Sequence, residues 1–459
     1  MTSYDAIVVG AGQAGPGVAA ALAASGRVAL IEMERVGGTC LNHGCRPTKA
    51  LRASAVVAHQ VRRAGEFGVR TKDVTVDFAV AIERVHGMID LMRSSLADWL
   101  AGVPNLDLLH SGATVETTPA GQPHRVHLAD QTLETDAIYL DIGARALIPP
   151  IPGLGGVSYL TEVELLQLTE LPKHLIIAGG SYIGLEFGQM FRRFGSEVTI
   201  LAGGGIAPRE DPDISALVAE LLTGEGVSIV NSRLQQVAPD GVGVRATLAD
   251  GSEVTGSHLL LATGRRSNID LIGDRHGLEL DERGFIVIDS RFQTSVDGVW
   301  ALGDINGHGA FTHTAYQDSQ ILLDPERTVD GRITSYAMFT DPPLGRVGMT
   351  EREARQSGRN VLKADLPMSS VSRAVIDSET FGLMRILVDA DSEELLGATF
   401  LGMHGDDLAQ LVGVAMQNGI SYPGVRDSLP IHPTVAEQIP SMLRSLHPLE
   451  QPEPLEPPQ

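Results

Sequence analysis

Cysteine is nearly absent: Cys40 and Cys45 are the only two in 459 residues. A secreted disulfide framework is thereby excluded, and a structural zinc site, which needs four ligands, lacks a second cysteine pair. Basic residues are also short, 35 Lys and Arg against 57 Asp and Glu, for a net charge of -22. That balance opposes nucleic acid and anionic membranes as partners. No apolar run approaches the ~20 residues that a membrane-spanning helix needs. The apolar segment near the start follows Asp5 with no basic residue before it, so it does not read as a secretory signal. These absences describe a cytoplasmic protein. Against them stand 43% hydrophobic residues. At about 150 residues per domain, the length gives two to four domains with sizeable cores.

The two cysteines lie five apart in Gly37-Gly38-Thr39-Cys40-Leu41-Asn42-His43-Gly44-Cys45-Arg46-Pro47-Thr48-Lys49. On an ideal helix i and i+5 Cα atoms are roughly 8.6 Å apart, beyond the ~7 Å limit for a disulfide, so a bridge needs a distorted first turn. Gly37, Gly38 and Gly44 give the backbone that freedom. A helix N-terminus with Arg46 and Lys49 nearby favours a thiolate. The residues alone leave two readings open, a pair for thiol-disulfide exchange or two inert buried thiols.

Upstream, Tyr4 to Val9 has the pattern of a short buried strand. It runs into Gly10-Ala11-Gly12-Gln13-Ala14-Gly15, an Ala-rich helical segment, and a second strand from Arg27 to Ile31 that ends at Glu32. Strand, glycine turn, helix, strand and an acid about 20 residues on make a dinucleotide-binding unit. Its glycines let the backbone approach a pyrophosphate at the helix N-terminus, and Glu32 can accept from an adenosine ribose hydroxyl. The unit recurs as Leu175 to Ala178, then Gly179-Gly180-Ser181-Tyr182-Ile183-Gly184, a helix through Phe194 and a strand from Val198 to Leu201. In the repeat Ser181 replaces the middle glycine, and Ala202 stands where the acid would be.

Between the units, a helix continues from the cysteines through Arg62, and Val76 to Leu100 reads as a long amphipathic helix. Short strands are expected at Leu106 to His110, Ala113 to Thr117, Arg125 to Leu128 and Ala137 to Leu140, and Ile148 to Gly153 is a Pro-rich crossing. From Tyr336 onward, strands Arg346 to Gly348, Gly382 to Val388 and Leu395 to Leu401 alternate with helices Asp406 to Asn418 and Thr434 to Leu446. The fold class is α/β, with two Rossmann-like dinucleotide-binding domains, 1–150 with 268–335 and 151–267, and a C-terminal α+β domain over 336–447. A Pro- and Glu-rich tail, 448–459, is too poor in apolar residues to pack and is expected to be disordered.

From Gly37 to Lys49 the chain resembles the redox-active segment of the pyridine nucleotide-disulfide oxidoreductases, the flavoproteins that include dihydrolipoamide dehydrogenase, glutathione reductase and mercuric reductase. Their pattern is GGTC, four residues, C, then x-P-[ST]-K, and Arg46 departs from the small aliphatic residue usual at its position. The resemblance extends to about residue 446. It implies that the first unit binds FAD and the second NAD(P)H. Leu259 to Arg266, with Gly264, resembles the ATGR segment. Thr294 to Asp304 resembles the second FAD motif, whose aspartate reaches the ribityl chain, and the amides of Thr312 and His313 then face the flavin. Further cofactor contacts are implied at Gly38, Thr39, Lys49, Ala113 and Gly143. Lys49 and Glu186 correspond to a buried ion pair beneath flavin N5. Ile431 to Glu437 resembles HPTxxE, which implies that His432 and Glu437 form an acid-base pair delivered by the other subunit of a homodimer.

The implied reaction moves two electrons from a reduced nicotinamide through FAD to a Cys40-Cys45 disulfide and on to a small-molecule acceptor of disulfide type. In that scheme Cys45 is the flavin-facing thiolate, Cys40 exchanges with the acceptor, and His432 moves the proton. No resident metal is expected. Reduction of mercuric or other metal ions is the alternative. Against it stand the absence of a metal-binding domain before the first glycine turn, the absence of a C-terminal cysteine pair, and His432 where mercuric reductases resemble one another in a tyrosine. A low-turnover flavin redox sensor and an NAD(P)H oxidase are further alternatives that need neither the cysteine pair nor His432 with Glu437. Ala202 removes the carboxylate that would repel a 2′-phosphate, so the nucleotide reading leans to NADPH, with Arg209 and Arg265 or Arg266 as candidate phosphate contacts.

Overall fold

In the computed structural model, which describes residues 1–450, the strands Ala6–Val9 and Val28–Glu32 are buried along their whole length. That is the pattern of parallel strands covered on both faces. They form the middle of a five-stranded parallel sheet in the order 299–301, 138–140, 6–9, 28–32, 106–110. The strand Val299–Ala301 returns to this sheet from beyond the second unit, so the first unit is built from two distant pieces of chain.

Helix α1 (Gly15–Leu22) follows the first glycine turn, and α2 (Gly38–Asn42), α3 (Cys45–Arg63) and α4 (Phe78–Ala101) follow the second strand. Asp77 starts α4 by accepting from Val80 N at 3.1 Å. The second unit repeats the plan with a four-stranded parallel sheet in the order 228–230, 197–201, 174–178, 258–261, and with α5 (Tyr182–Phe194) and α6 (Pro212–Gly224). Leu51 and Ala55 of α3, Phe78 and Val85 of α4, and Phe187, Phe191 and Phe194 of α5 share one core. The Phe78 ring lies 5.6 Å from Phe191 and 5.7 Å from Phe194. This packing brings α3, which starts at Cys45, against the helix that opens the second unit.

Helix α7 (Thr312–Leu323) follows the last strand of the first sheet. The C-terminal unit is a six-stranded antiparallel sheet in the order 335–338, 344–348, 395–401, 383–389, 361–367, 447–448, with α8 (Gly405–Gln417) packed on it.

Three features differ from the sequence expectation. The helix expected from Thr434 to Leu446 shrinks to α9 (Gln438–Met442). Pro440 is the reason: it lacks an N–H and is tolerated only in a first turn, so the helix starts late enough to place it there. The tail expected to be disordered from 448 begins as a strand, with Lys363 paired to His447, Leu362 to Pro448, and Leu449 N donating to Val361 O at 2.9 Å. The rest of that tail, 451–459, lies outside the described residues. An antiparallel sheet of Leu234–Asp240, Gly243–Leu248 and Glu253–Gly256, unexpected from the sequence, covers the second unit.

Candidate active site

The distortion that the cysteine spacing demands is made by breaking the helix. α2 is a single turn capped by His43, and α3 starts afresh at Cys45. Gly44 lies at φ −125°, ψ −121°, and a Cβ there would come within 2.9 Å of Thr39 O and 3.2 Å of Cys40 Cα. A side chain at 44 would push the two cysteine-bearing helices apart. Both cysteines are free thiols, Cys40 buried and Cys45 open to a cleft. Cys45 Sγ lies 3.2 Å from Thr312 Oγ1 at the first residue of α7.

The Cys45 thiol is pulled down to about 5. The Cys40 thiol, acting as donor toward it, is the largest cause; the Thr312 hydroxyl and the charge of Lys49 add to it, and burial works against it. As the first residue of a long helix, Cys45 also faces the positive end of α3. The Cys40 thiol is pushed up, first by its interaction with Cys45 and then by burial, while Arg46 acts in the opposite direction. Both directions favour a proton on Cys40 beside a thiolate on Cys45 in the reduced pair. Arg46 itself is exposed and donates to Met92 Sδ at 3.4 Å.

The cysteines open on a cleft of about 1440 Å³ whose lining includes Gly10, Gly12, Glu32, Gly38, Thr39, Ala113 and Gly143. At Gly10 (φ +102°) a Cβ would meet Asp141 O at 2.2 Å, and at Gly38 one would meet Gly12 Cα at 2.8 Å. Gly15 passes equally close to Gly10 O, at 2.1 Å from an added Cβ. Turn, helix and α2 can close on one another only because these positions lack side chains, and the closure leaves a backbone cradle. Glu32 is buried at its strand end, accepting from Ala11 N at 2.9 Å and Glu34 N at 2.8 Å. Asp304 lines the same cleft, its carboxyl pushed up by burial, 3.7 Å from Arg265 Nε. That Nε is buried and lacks a hydrogen-bond partner. A cradle at a helix N-terminus, an acid at the strand end and a spare buried donor fit a dinucleotide such as FAD.

Deeper in the cleft, Lys49 Nζ donates to Glu186 Oε2 at 2.7 Å, so the pair expected from the sequence is joined. His313 stacks on Phe311 at 5.4 Å and its Nε2 lies 2.7 Å from Ser335 O. Sequence reasoning missed three residues here. Asp141 is buried, accepts from Ala14 N at 3.2 Å and Gly15 N at 2.7 Å, and is pushed up to about 8 by burial. Its signal was an acid directly after an apolar strand. The Thr312 hydroxyl contacts Cys45, where only its backbone amide was expected to matter. Phe339 touches the Lys49–Glu186 pair and had no signal in the sequence.

The glycines of the second unit's turn do not line the cysteine cleft, whereas Tyr182 and Ile183 of the same turn do. At Gly179 (φ +128°) a Cβ would meet Ala262 O at 2.2 Å, and at Gly184 one would meet Gly179 O at 2.2 Å. Ser181 is the N-cap of α5 without a side-chain cap bond, Ala202 is buried at its strand end, and Gly264 takes φ +125°. Two of the expected phosphate contacts are elsewhere: Arg265 donates to Ala144 O and to Glu162, and Arg266 pairs with Asp270 at 2.8 Å. Their strand, Arg265–Ser267, pairs with Ala144–Ala146, which carries both side chains to the first unit. Arg233 is the arginine beside the strand end, its Nε 3.3 Å from Gly203 O, while Arg209 bears on Tyr182 and Tyr336. His432 Nδ1 lies 2.9 Å from Glu437 Oε2, joined by a turn that precedes α9. This pair does not line the cysteine cleft; its histidine is 75% exposed, next to the exposed Ile431.

Comparison with known proteins gives the same architecture. The family description "Pyridine nucleotide-disulphide oxidoreductase" matches residues 4–319, and its "dimerisation domain" matches 334–443. A probable pyridine nucleotide-disulfide oxidoreductase, RclA, of Escherichia coli K12 is 34% identical over 96% of this chain and 98% of that protein. A mercuric reductase of Streptomyces lividans is 32% identical over 95% of each. The solved structure of a Cu(II) complex of the E. coli HOCl-induced flavoprotein disulfide reductase RclA superposes with a TM-score of 0.85, covering 97% of this chain and 100% of that one. With the broken helix at its cysteines and both units matched along their length, this chain belongs to the class I pyridine nucleotide-disulfide oxidoreductases, FAD-dependent enzymes that take electrons from NAD(P)H.

Proposed function

We propose that the chain is a homodimeric, cytoplasmic NAD(P)H-dependent reductase whose Cys40–Cys45 pair reduces a small-molecule disulfide-type acceptor. The observation that carries this is the asymmetric pair itself: Cys45 at the start of α3 beside the Thr312 hydroxyl, Cys40 buried on α2 across the break at Gly44, and a dinucleotide-sized cleft against both. FAD, when bound, supplies two-electron transfer between a reduced nicotinamide and the cysteine pair. Gly10, Gly12 and Thr39 would hold its pyrophosphate end, Glu32 a ribose hydroxyl, and Asp304 the ribityl chain.

The chain's own chemistry is thiol-disulfide exchange. Cys40 holds its proton tightly, so a base must take it before the sulfur attacks. His432, oriented by Glu437 and exposed at 75%, supports delivery of that base to a second subunit's cysteines. The Cys40 thiolate attacks one sulfur of the acceptor, forming a mixed disulfide and releasing one thiol, which takes the proton from the histidine. The Cys45 thiolate then attacks Cys40, re-forms the disulfide and releases the second product as a thiolate, which takes its proton from solvent. Exposed Val375, Ile376, Leu411, Val414 and Ile420 in the dimerisation region support association of two copies.

Metal-ion reduction is the second reading, favoured by the Cu(II) bound to the solved relative. Arg46 argues against it in this chain, since its charge bears on Cys40 and repels a divalent cation. For the nucleotide, the buried Ala202 and Arg233 against Gly203 support a lean to NADPH. The deciding experiment is NAD(P)H oxidation by the FAD-loaded protein with lipoamide, neutral and anionic low-molecular-weight disulfides, quinones, Hg(II) and Cu(II). Disulfide turnover that vanishes in Cys40→Ser supports the reading. Metal-ion turnover with no disulfide turnover overturns it.

A further inference from the structure

Helix α5 carries a polar stripe of which the reaction uses only Glu186. Glu186, Gln189 and Arg193 stand at i, i+3 and i+7, on one face, and each is at most 5% exposed. Buried polar groups require partners. Glu186 has Lys49, and Gln189 and Arg193 share Glu225 of the second unit; their other partners are Phe339 and Asp341, in the link 339–343 between the strands Ser335–Met338 and Leu344–Gly348 of the C-terminal unit. Glu186 Oε1 accepts from Phe339 N at 2.8 Å. Gln189 accepts from Asp341 N and donates to Asp341 O, both at 2.8 Å. Arg193 pairs with Asp341 Oδ2 at 2.5 Å. From the other side Arg52 of α3 donates to Phe339 O at 2.8 Å and Thr340 O at 2.6 Å. The link is thus a strap bolted to the two helices that carry Lys49 and Glu186.

Its ring completes the arrangement. Lys49 Nζ sits 4.4 Å from the centroid of Phe339, while the same residue's amide holds the other oxygen of the glutamate that pairs with Lys49. One residue therefore fixes both members of the ion pair, one through its backbone and one through its π face. We propose that Phe339 is a positioning residue that holds the Lys49 ammonium at the redox centre, and that the 339–341 strap makes this position depend on the docking of the C-terminal unit. The inference rests on the reading of Lys49 as the cation beside the flavin.

The test uses the FAD-loaded full chain and two readouts, the rate of flavin reduction by NAD(P)H and the two-electron flavin potential. Phe339→Leu keeps the amide and removes the π face. It lowers the rate roughly 2- to 30-fold, the range a cation–π contact supports, and makes the potential more negative, each tenfold in the flavin's reduction equilibrium equalling about 30 mV. Phe339→Tyr, which keeps the face, stays within about twofold of the parent. In a Lys49→Met background Phe339→Leu adds nothing, because the coupling has no partner. Arg52→Met, which loosens the strap from the other side, shifts the potential in the same direction and serves if Phe339→Leu does not fold. Parent-like values for Phe339→Leu, or additive effects in the Lys49→Met background, overturn the proposal. An unshifted potential in Lys49→Met alone instead overturns the reading of Lys49 on which it rests.

Discussion

Replacing Thr312 by valine removes the hydroxyl that lies 3.2 Å from Cys45 Sγ and leaves the shape of the side chain almost unchanged. A hydrogen bond to a charged group contributes about 1.5 to 3 kcal/mol. Cys45 is open to the cleft, so the lower end applies, and 1.36 kcal/mol per unit makes the shift about one pKa unit. The thiol then moves up from about 5 to roughly 6. At neutral pH both proteins are almost wholly thiolate and an assay there would miss the change. At pH 5.5 the thiolate fraction falls from about three quarters to about one quarter, a threefold loss. The measurement is the rate of alkylation of Cys45 in the reduced protein from pH 4 to 8, with fragment mass spectra assigning the label to Cys45 rather than Cys40. An unmoved midpoint would refute the hydroxyl as donor, and a midpoint that moves down would show that it accepts from the thiol.

Three other perturbations have defined outcomes. Asp141 keeps its proton in the folded protein up to about 8, against 3.8 for the ordinary group, so the folded state binds more protons than the unfolded one between these values and stability falls as pH rises through that window. The Tm of Asp141→Asn should therefore gain on the parent from about pH 4 to 8 and hold constant above; parallel Tm profiles would refute the buried neutral acid. His432→Ala should lower disulfide turnover by roughly 10² to 10⁴ and leave flavin reduction intact. Mixing it with Cys40→Ser under proven subunit exchange should restore activity, and no recovery would sink the shared site. The parent should prefer NADPH by less than about 100-fold in kcat/KM, and Arg233→Gln should erase the preference by weakening NADPH alone, a charged contact being worth a factor of roughly 10 to 150. A preference for NADH above about tenfold would show a ribose contact in place of the missing acid.

The parts of this molecule that are legible in the sequence are those whose cause and consequence lie within one turn or one strand. A glycine turn between an apolar strand and an Ala-rich helix identifies Gly10 to Gly15, and the same pattern identifies Gly179 to Gly184. The hairpins Leu234–Asp240 with Gly243–Leu248, and Gly243–Leu248 with Glu253–Gly256, were equally legible, since Asp240-Gly241 and Asp250-Gly251 are turn signals between alternating segments. Pro440 should likewise have shortened the last helix on inspection alone. Arg265 and Arg266 were misplaced for a different reason. Their distance in sequence from Ala202 said nothing about the pairing of their strand with Ala144–Ala146, which turns them toward the first unit.

The redox centre itself is where local reading stops, and the two helices around it explain why. On α3, Cys45, Lys49 and Arg52 fall at i, i+4 and i+7; on α5, Tyr182, Glu186, Gln189 and Arg193 fall at i, i+4, i+7 and i+11. Each set is a one-sided polar stripe that helical spacing predicts from its own sequence. What no spacing predicts is that the stripes face each other, because Lys49 and Glu186 are 137 residues apart, Phe339 is 153 beyond Glu186, and Thr312 is 267 beyond Cys45. That placement comes from Phe78, Phe187, Phe191 and Phe194 clamping α4 and α5 together, with α3 packed into the same core through Leu51 and Ala55. Glu186, Gln189 and Arg193 on α5 are buried and have no water to face, so their partners must be supplied by other parts of the chain. Two such stripes meet at a strap from a third unit, so the Lys49–Glu186 pair is the place where side chains from all three units are joined.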